Sequence, residues 1–374
     1  MNLTRQQILG LRMRALLLDS RADAPLTLAR SVQNIVQWFG AMQAQDHASG
    51  LWSLGLRIPG STEADVLAAI ERKEALRTWP MRGTVHLVPP RDAKWMLELM
   101  GVRPLAGSAK RRELLGLTEA VVELAVDTLR SSLSGDKRLT RAECIGELNE
   151  AGIATASQVG YHLLWYASQK GVTCIGPYQG KEQTFVLLDE YVPDAHRPQR
   201  EEALGIVALR YVRGHGPVTV TELARWTGLG MRDSRAGIAA AGASITQVDT
   251  DDGPMLVAVE ALEDTSAVAA GQFTLPGFDE YMLGYGDRSL ILDPAGFQEV
   301  VPGNNGVFRA TLVRSGHVVG TWKRTLRAKS CVVDAVPLGS GQGKRISATD
   351  RAGFDAAFGP YGAFVGKPVE VRWA

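Results

Sequence analysis

At 374 residues, with 45% hydrophobic, 22% charged and 7% aromatic residues, the chain exceeds one ordinary core and reads as roughly two to four modules of about 150 residues. No apolar run is long enough to span a bilayer. The N-terminus, Met1-Asn2-Leu3-Thr4-Arg5, lacks the basic start and apolar middle of a secretory signal, so no membrane partner and a cytoplasmic location are expected. With 41 basic against 40 acidic residues, a nucleic-acid partner requires a local basic face, because phosphate contacts need positive charge.

In chain order, Thr4-x-x-Gln7 fits a capping box ahead of Ile8, Leu11 and Ala15 at helical spacing, which predicts a first helix. Ser31 opens a second, with Val32, Ile35, Val36, Phe39 and Met42 on one face and Gly40 near its end. A third is expected over residues 62–76, leading into a strand or wing at 78–88, where Thr84, His86 and Val88 alternate with Val85 and Leu87. Thr140 then caps a helix through Glu150, Gly152 turns the chain, a helix follows over 157–170, and turn residues pass into a short apolar strand at 176–188. Helix, turn, helix and hairpin in that order make a winged helix. A further copy is suggested at 201–250, with helices at 202–214, 221–227 and 233–241, the Gly228 turn, and a strand at 245–248. The repeat is one of pattern, not of residues. Beyond Asp264 strands and Gly-rich turns predominate, with candidate hairpins at Asn304-Asn305-Gly306 and Ser315-Gly316. The expected class is therefore α+β: three tandem winged-helix modules at 1–132, 133–197 and 198–264, and a β-rich, barrel-like C-terminal domain at 265–374.

Cofactor signals are lacking. Cys144, Cys174 and Cys331 lie far apart, the six histidines form no paired motif, and no Gly-x-x-x-x-Gly-Lys occurs, so neither metal nor nucleotide cofactor is expected. The most informative stretch is Gln43-Ala44-Gln45-Asp46, followed by the segment Arg77 to Val88 that contains Arg82-Gly83-Thr84-Val85-His86. Together with Thr184 to Glu190, Leu275-Pro276-Gly277-Phe278-Asp279-Glu280-Tyr281 and Val319-Gly320-Thr321-Trp322-Lys323-Arg324, in this order, these residues resemble the blocks of the AlkZ-type DNA glycosylases, bacterial repair enzymes built from tandem winged helices. The resemblance covers nearly the whole chain and implies that Gln43 and Gln45 are the two catalytic glutamines.

What the resemblance implies agrees with the chemistry of the side chains. An amide cannot accept a proton near neutral pH, so a glutamine pair can orient water but cannot activate it as a carboxylate would. Such a site suits a leaving group that is already good, and an N7-alkylated purine carries a positive charge that weakens its glycosidic bond. The expected partner is double-stranded DNA with an alkylated purine. Bulky adducts and interstrand crosslinks fall within the family's range, and the product is an abasic site released without a Schiff base, since no lysine neighbours the motif in sequence. The chain is expected to act as a monomer, associated with the nucleoid.

Other candidates carry competing readings. Asp46 is either a general base beside the amides or a turn and capping residue. His86 is a candidate for the pocket. Arg82 on the wing, Lys110, Arg111 and Arg112, and Lys323 and Arg324 are candidates for DNA contact, the alternative being solvated surface runs. Trp79 and Trp322 can either stack on a base or fill the core. Asp279 and Glu280 read as structural, because adjacent carboxylates on a strand face opposite ways. The main rival function is a sequence-specific winged-helix transcription regulator without catalysis. Its recognition helix would carry Arg, Lys, Asn or Gln on one exposed stripe, whereas residues 157–170 read as a packing element.

Overall fold

Helix caps and left-handed turn residues set most of the boundaries in the computed structural model, which describes residues 1–18, 30–268, 270–339, 341 and 346–374. After a short strand β1 (Asn2–Leu3), a capping box between Thr4 and Gln7 starts α1 (Arg5–Ala15). Ser31 caps α2 (Val32–Phe39), which buries Val32, Ile35, Val36 and Phe39 and stops at Gly40, whose φ of +75° favours glycine. The chain then extends as β2 (Met42–Gln43) and enters α3 (His47–Gly55), a helix that the sequence pattern does not predict. Thr62 and Asp65 form the box that starts α4 (Glu63–Glu71). That helix ends short of residue 76, because Lys73 at φ +62° redirects the chain into β3 (Leu76–Met81). Arg82 and Gly83, both at positive φ, make the tight turn into β4 (Thr84–Val88).

Four helices follow: α5 (Ala93–Met100), α6 (Val102–Gly107), α7 (Ala109–Leu114) and α8 (Glu119–Leu133). Then come β5 (Leu139–Thr140), α9 (Arg141–Glu150) on a Thr140–Glu143 capping box, α10 (Val159–Gln169), and the hairpin β6 (Thr173–Gln179) and β7 (Glu182–Leu187). Strands β3 and β6 meet at Arg77 and Ile175, joining the two hairpins in a six-stranded sheet of order β2-β4-β3-β6-β7-β5. Every residue of β3 is buried, as in a strand covered on both faces.

A short α11 (Leu188–Tyr191) precedes α12 (Arg200–His215), α13 (Val220–Thr227), α14 (Met231–Ala241), β8 (Ile245–Thr250) and β9 (Met255–Ala258). Helices α12 and α14 approach so closely that a Cβ on Gly237 would lie 2.6 Å from the Leu204 carbonyl oxygen. The first strand of the chain returns here, β1 lying parallel to β8 in a three-stranded sheet of order β1-β8-β9.

The C-terminal part comprises β10 (Gln272–Leu275), α15 (Glu280–Leu283), α16 (Phe297–Val300), β11 (Ala310–Arg314), β12 (His317–Leu326), β13 (Cys331–Pro337), α17 (Ala348–Ala357), α18 (Gly359–Phe364) and β14 (Val369–Trp373). Its five strands follow one another across an open sheet, β10-β11-β12-β13-β14, with β10 and β14 at the edges. It is therefore a sheet and not a barrel. The hairpin at Ser315-Gly316 is present between β11 and β12. The one expected at Asn304–Gly306 is absent: Val300 ends α16, a single 3-10 turn covers Pro302–Asn304, and no strand begins before Ala310. An Asn-Gly turn signal yields a hairpin only where both flanks find partners, and Val307 lies exposed.

One large apolar core draws on α1 to α5, α12, α13 and the C-terminal sheet, while a second lies among α8, α9, α10 and the β6–β7 hairpin. Among the described residues no helix is long and apolar enough to cross a membrane.

Candidate active site

The glutamine pair sits where the chain has left regular helix. Residues two apart share a face in extended backbone but not on a helix. Here Gln43 is half-exposed, Ala44 buried and Gln45 exposed, so both glutamines reach solvent while the residue between them does not. Four consecutive residues are pinned. The Gln43 N–H donates to Glu280 Oε1 at 3.2 Å, the Ala44 N–H donates to the Val85 carbonyl at 2.9 Å, Gln45 Oε1 accepts from the Val85 N–H at 3.0 Å, and Asp46 accepts from the Ser49 N–H at 2.8 Å as the cap of α3. Asp46 thus has the capping geometry that the sequence offered as one of its two readings.

A buried polar layer lies beside this segment, on the face of the sheet that Gln43 shares with its strand partner. His86 pairs with Gln43 across β2 and β4 and is fully buried. Its Nδ1 donates to the Thr84 carbonyl at 2.8 Å, which leaves Nε2 to accept from Arg82 Nη2 at 3.3 Å. Burial, with the Arg82 guanidinium beside it, pushes His86 down to about 3, so the ring is neutral at physiological pH. Glu280 is likewise buried and accepts three bonds: from Gln43, from Trp226 Nε1 at 2.9 Å and from His215 Nε2 at 3.1 Å. Burial raises its pKa, but the bond and charge of His215, the charge of Arg82 and the Trp226 bond outweigh it and hold the carboxyl at about 2.

Asp279, by contrast, forms a bidentate pair with Arg57 at 2.8 and 2.9 Å and also accepts from Ser53 Oγ and from the Tyr281 N–H at the start of α15. The adjacent carboxylates lie at a helix start instead of on a strand, and each has its own partners. Trp79 and Trp322 are 1% and 5% exposed and fill core space.

Three further groups at this site are not singled out by the sequence. Arg77, 4% exposed, donates to the Ala44 carbonyl at 3.3 Å, and its Nε and Nη1 are buried without a hydrogen-bond partner among the described residues. It lies over the Tyr178 ring, whose centroid is 4.2 Å from that of His47 in a stacked arrangement. Burial and the charge of Arg77 bring His47 down to about 4. Phe278, at a φ of +62°, meets Phe308 edge-on, and a Cβ on Gly277 would lie 3.7 Å from Ser49 Oγ, which sets this aromatic pair beside the first turn of α3. Positive φ in a bulky residue is a backbone outlier that concentrates at functional sites. Arg77 opens the family-like segment that runs to Val88, but its burial depends on β6 and Tyr178, a hundred residues away.

The basic candidates fall on separate elements. Arg82 occupies the β3–β4 turn, Lys110, Arg111 and Arg112 lie on α7, and Lys323 and Arg324 lie on β12. Lys110, Arg111 and Lys323 are exposed, Arg112 pairs with Glu119 at 2.6 Å, and Arg324 donates to Tyr361 Oη at 3.0 Å.

The model of one protein family, the AlkZ-like DNA glycosylases, matches residues 36–364. The chain belongs to this family. An interstrand DNA cross-link repair glycosylase of Streptomyces sahachiroi is 27% identical to it over 340 residues, 85% of this chain and 87% of that protein. The solved structure of the Streptomyces sahachiroi DNA glycosylase AlkZ has the same fold, with a TM-score of 0.80 at 24% identity over 100% of both chains. Membership of the AlkZ-like family makes the chain a DNA-repair glycosylase and removes the transcription regulator as an alternative.

Proposed function

We propose that this AlkZ-like protein hydrolyses the N-glycosidic bond of N7-alkylated purines in double-stranded DNA and leaves an abasic site. The observation that carries the reading is the pinned, extended Gln43-Ala44-Gln45 segment in which both glutamines reach solvent. With its oxygen committed to Val85, Gln45 keeps its amide N–H groups to donate to a water oxygen, while the Gln43 carbonyl oxygen is available to accept a water hydrogen. The water oxygen then bonds to the anomeric carbon. As the glycosidic bond breaks, its electron pair passes to the purine ring and cancels the ring's charge, and the surplus proton goes to solvent. Positioning of this kind supplies roughly 7–11 kcal/mol, which suffices for a leaving group that needs no acid.

The cross-link repair for which the Streptomyces relative is named supports extending the substrate range to interstrand crosslinks through an N7-alkylated purine. We read the enzyme as monofunctional and monomeric, with Gln43 and Gln45 catalytic and the helix–hairpin units acting as three winged-helix modules followed by the β-rich part. The test is a duplex with one N7-methylguanine, and a second with an N7-linked crosslink, incubated with the protein and then treated with alkali. Strand breaks only after alkali, lost in the Gln43→Ala/Gln45→Ala protein, are the expected result. Breaks in the double variant overturn the glutamine mechanism, and a borohydride-trapped adduct overturns the monofunctional reading.

A further inference from the structure

The turn that carries Arg82 also walls a second site. Between the β3–β4 turn, α6, the start of α7 and α10 lies a cleft of about 480 Å³, within the roughly 300–1,000 Å³ range of small-ligand sites. Leu163, Leu164, Tyr166 and Ala167 of α10 enter the second core, Tyr161 and His162 line the cleft with Arg82 and Arg111, and Trp165 lines it while also packing against that core. Tyr161 is 36% exposed, an unusual display of aromatic surface on a helix otherwise used for packing. Its ring lies beneath Arg141, with the guanidinium carbon 5.3 Å from the centroid, and the centroids of Trp165 and His162 are 5.3 Å apart. His162 is 7% exposed, and its Nε2 is buried without a hydrogen-bond partner among the described residues. Among the described residues no carboxylate lines the cleft.

Flat aromatic walls, an unpartnered ring nitrogen and two guanidinium groups together select a flat, hydrogen-bonding ligand that carries an anion. We propose that the cleft receives one nucleotide of the bound DNA, its base turned out of the stack against Tyr161 and Trp165 and bonded by His162 Nε2, and its phosphate on Arg111. Arg82 connects this site to the glutamines: it donates to His86, the residue paired with Gln43. The lesion and the displaced nucleotide therefore flank one hairpin, and the cleft fixes the register of the duplex on the catalytic segment. The proposal rests on the DNA glycosylase reading.

The test places 5-iodouracil, in turn, at each position near a single N7-methylguanine on either strand, irradiates the complex with the full-length protein, and maps crosslinked peptides by mass spectrometry. Excision is measured on the same complexes. Crosslinks at Tyr161 or Trp165 from one position are expected, those at Trp165 weakened by Tyr161→Ala and by Arg111→Ala. Both variants should raise KM for excision, Tyr161→Ala roughly tenfold in line with the value of one stacked base and Arg111→Ala through the lost phosphate contact, with kcat and Tm unchanged. Crosslinks only on other peptides, with excision intact, overturn the cleft and leave the glycosylase reading standing. Crosslinks on α10 without base release overturn the glycosylase reading alone.

Discussion

The backbone N–H of Gln43 donates to Oε1 of Glu280 across 237 positions of sequence. Through the second oxygen of the same carboxylate, His215 of α12 and Trp226 of α13 are tied to the glutamine segment. Glu280 touches no outer surface, so its contribution is to position Gln43.

Glu280→Gln tests that contribution. A carboxyl held at about 2, below its ordinary 4.5, adds stability at pH above 4.5 that is lost as pH falls through 2. The amide removes this charge while His215 and Arg82 stay beside it, and breaking a buried pair costs about 3–5 kcal/mol. The denaturant midpoint at pH 7 should fall accordingly, and single-turnover excision should drop by about tenfold or more, because an amide with one acceptor oxygen cannot hold Gln43, His215 and Trp226 together. A variant with the wild-type midpoint and rate would remove Glu280 from the account.

His86 gives a pH dependence of the same sign in a higher window. The unfolded ring takes up its proton at about 6.5 and the folded ring only at about 3, so the unfolded state binds more protons in between and stability falls as pH drops through that range. The full loss is of order a few kcal/mol at about 1.4 kcal/mol per unit. His47, held at about 4, adds to it. His86→Asn should flatten the stability profile between pH 6.5 and 4.5, read by urea unfolding at half-unit steps; equal slopes in the two proteins would show that His86 does not titrate there. Because His86 is already neutral, excision should show no inflection from it between pH 6 and 8.

Asp46→Asn separates a cap from a base. Asparagine caps helices about as well as aspartate, so α3 keeps its start, whereas Asp46→Ala should cost about 1 kcal/mol. If the carboxylate only caps, excision by Asp46→Asn stays within about twofold of the parent. Loss of a general base would slow it by about a hundredfold or more. Single-turnover rates on an N7-methylguanine duplex decide between the two.

Which of these relationships the sequence discloses follows from their range. The box at Thr4 and the cap at Thr140 are legible because cap and partner lie three residues apart, and the end of α2 close to the glutamines is legible from Gly40, although Met42, read on the helix face, lies in β2. The contacts of Glu280 are not, since they join three elements whose packing no local pattern encodes. Helix α3 is hidden in the sequence because its cap, Asp46, adjoins the glutamines and also reads as a candidate general base. Asn304-Asn305-Gly306 misleads in the opposite way, its local turn chemistry being real while the flanking residues have no strand to pair with. Residues 157–170 hold the packing helix that their pattern predicts, and period alone cannot show that its other face lines a cleft.

The basic candidates differ in how free their charge is, and salt dependence resolves them. Lys110, Arg111 and Lys323 are exposed and without an ion pair among the described residues, whereas the charge of Arg112 is already matched by Glu119. Removing a side chain that neutralises one phosphate should reduce the slope of log K against log salt by about 0.9 for duplex DNA. Lys110→Ala and Lys323→Ala are therefore expected to flatten the slope on an undamaged duplex by about that amount each, and Arg112→Ala by distinctly less. Because phosphate contacts carry no sequence information, the weakening should be the same on every sequence tested. Unchanged slopes in both lysine variants would place the DNA on another face, away from α7 and β12.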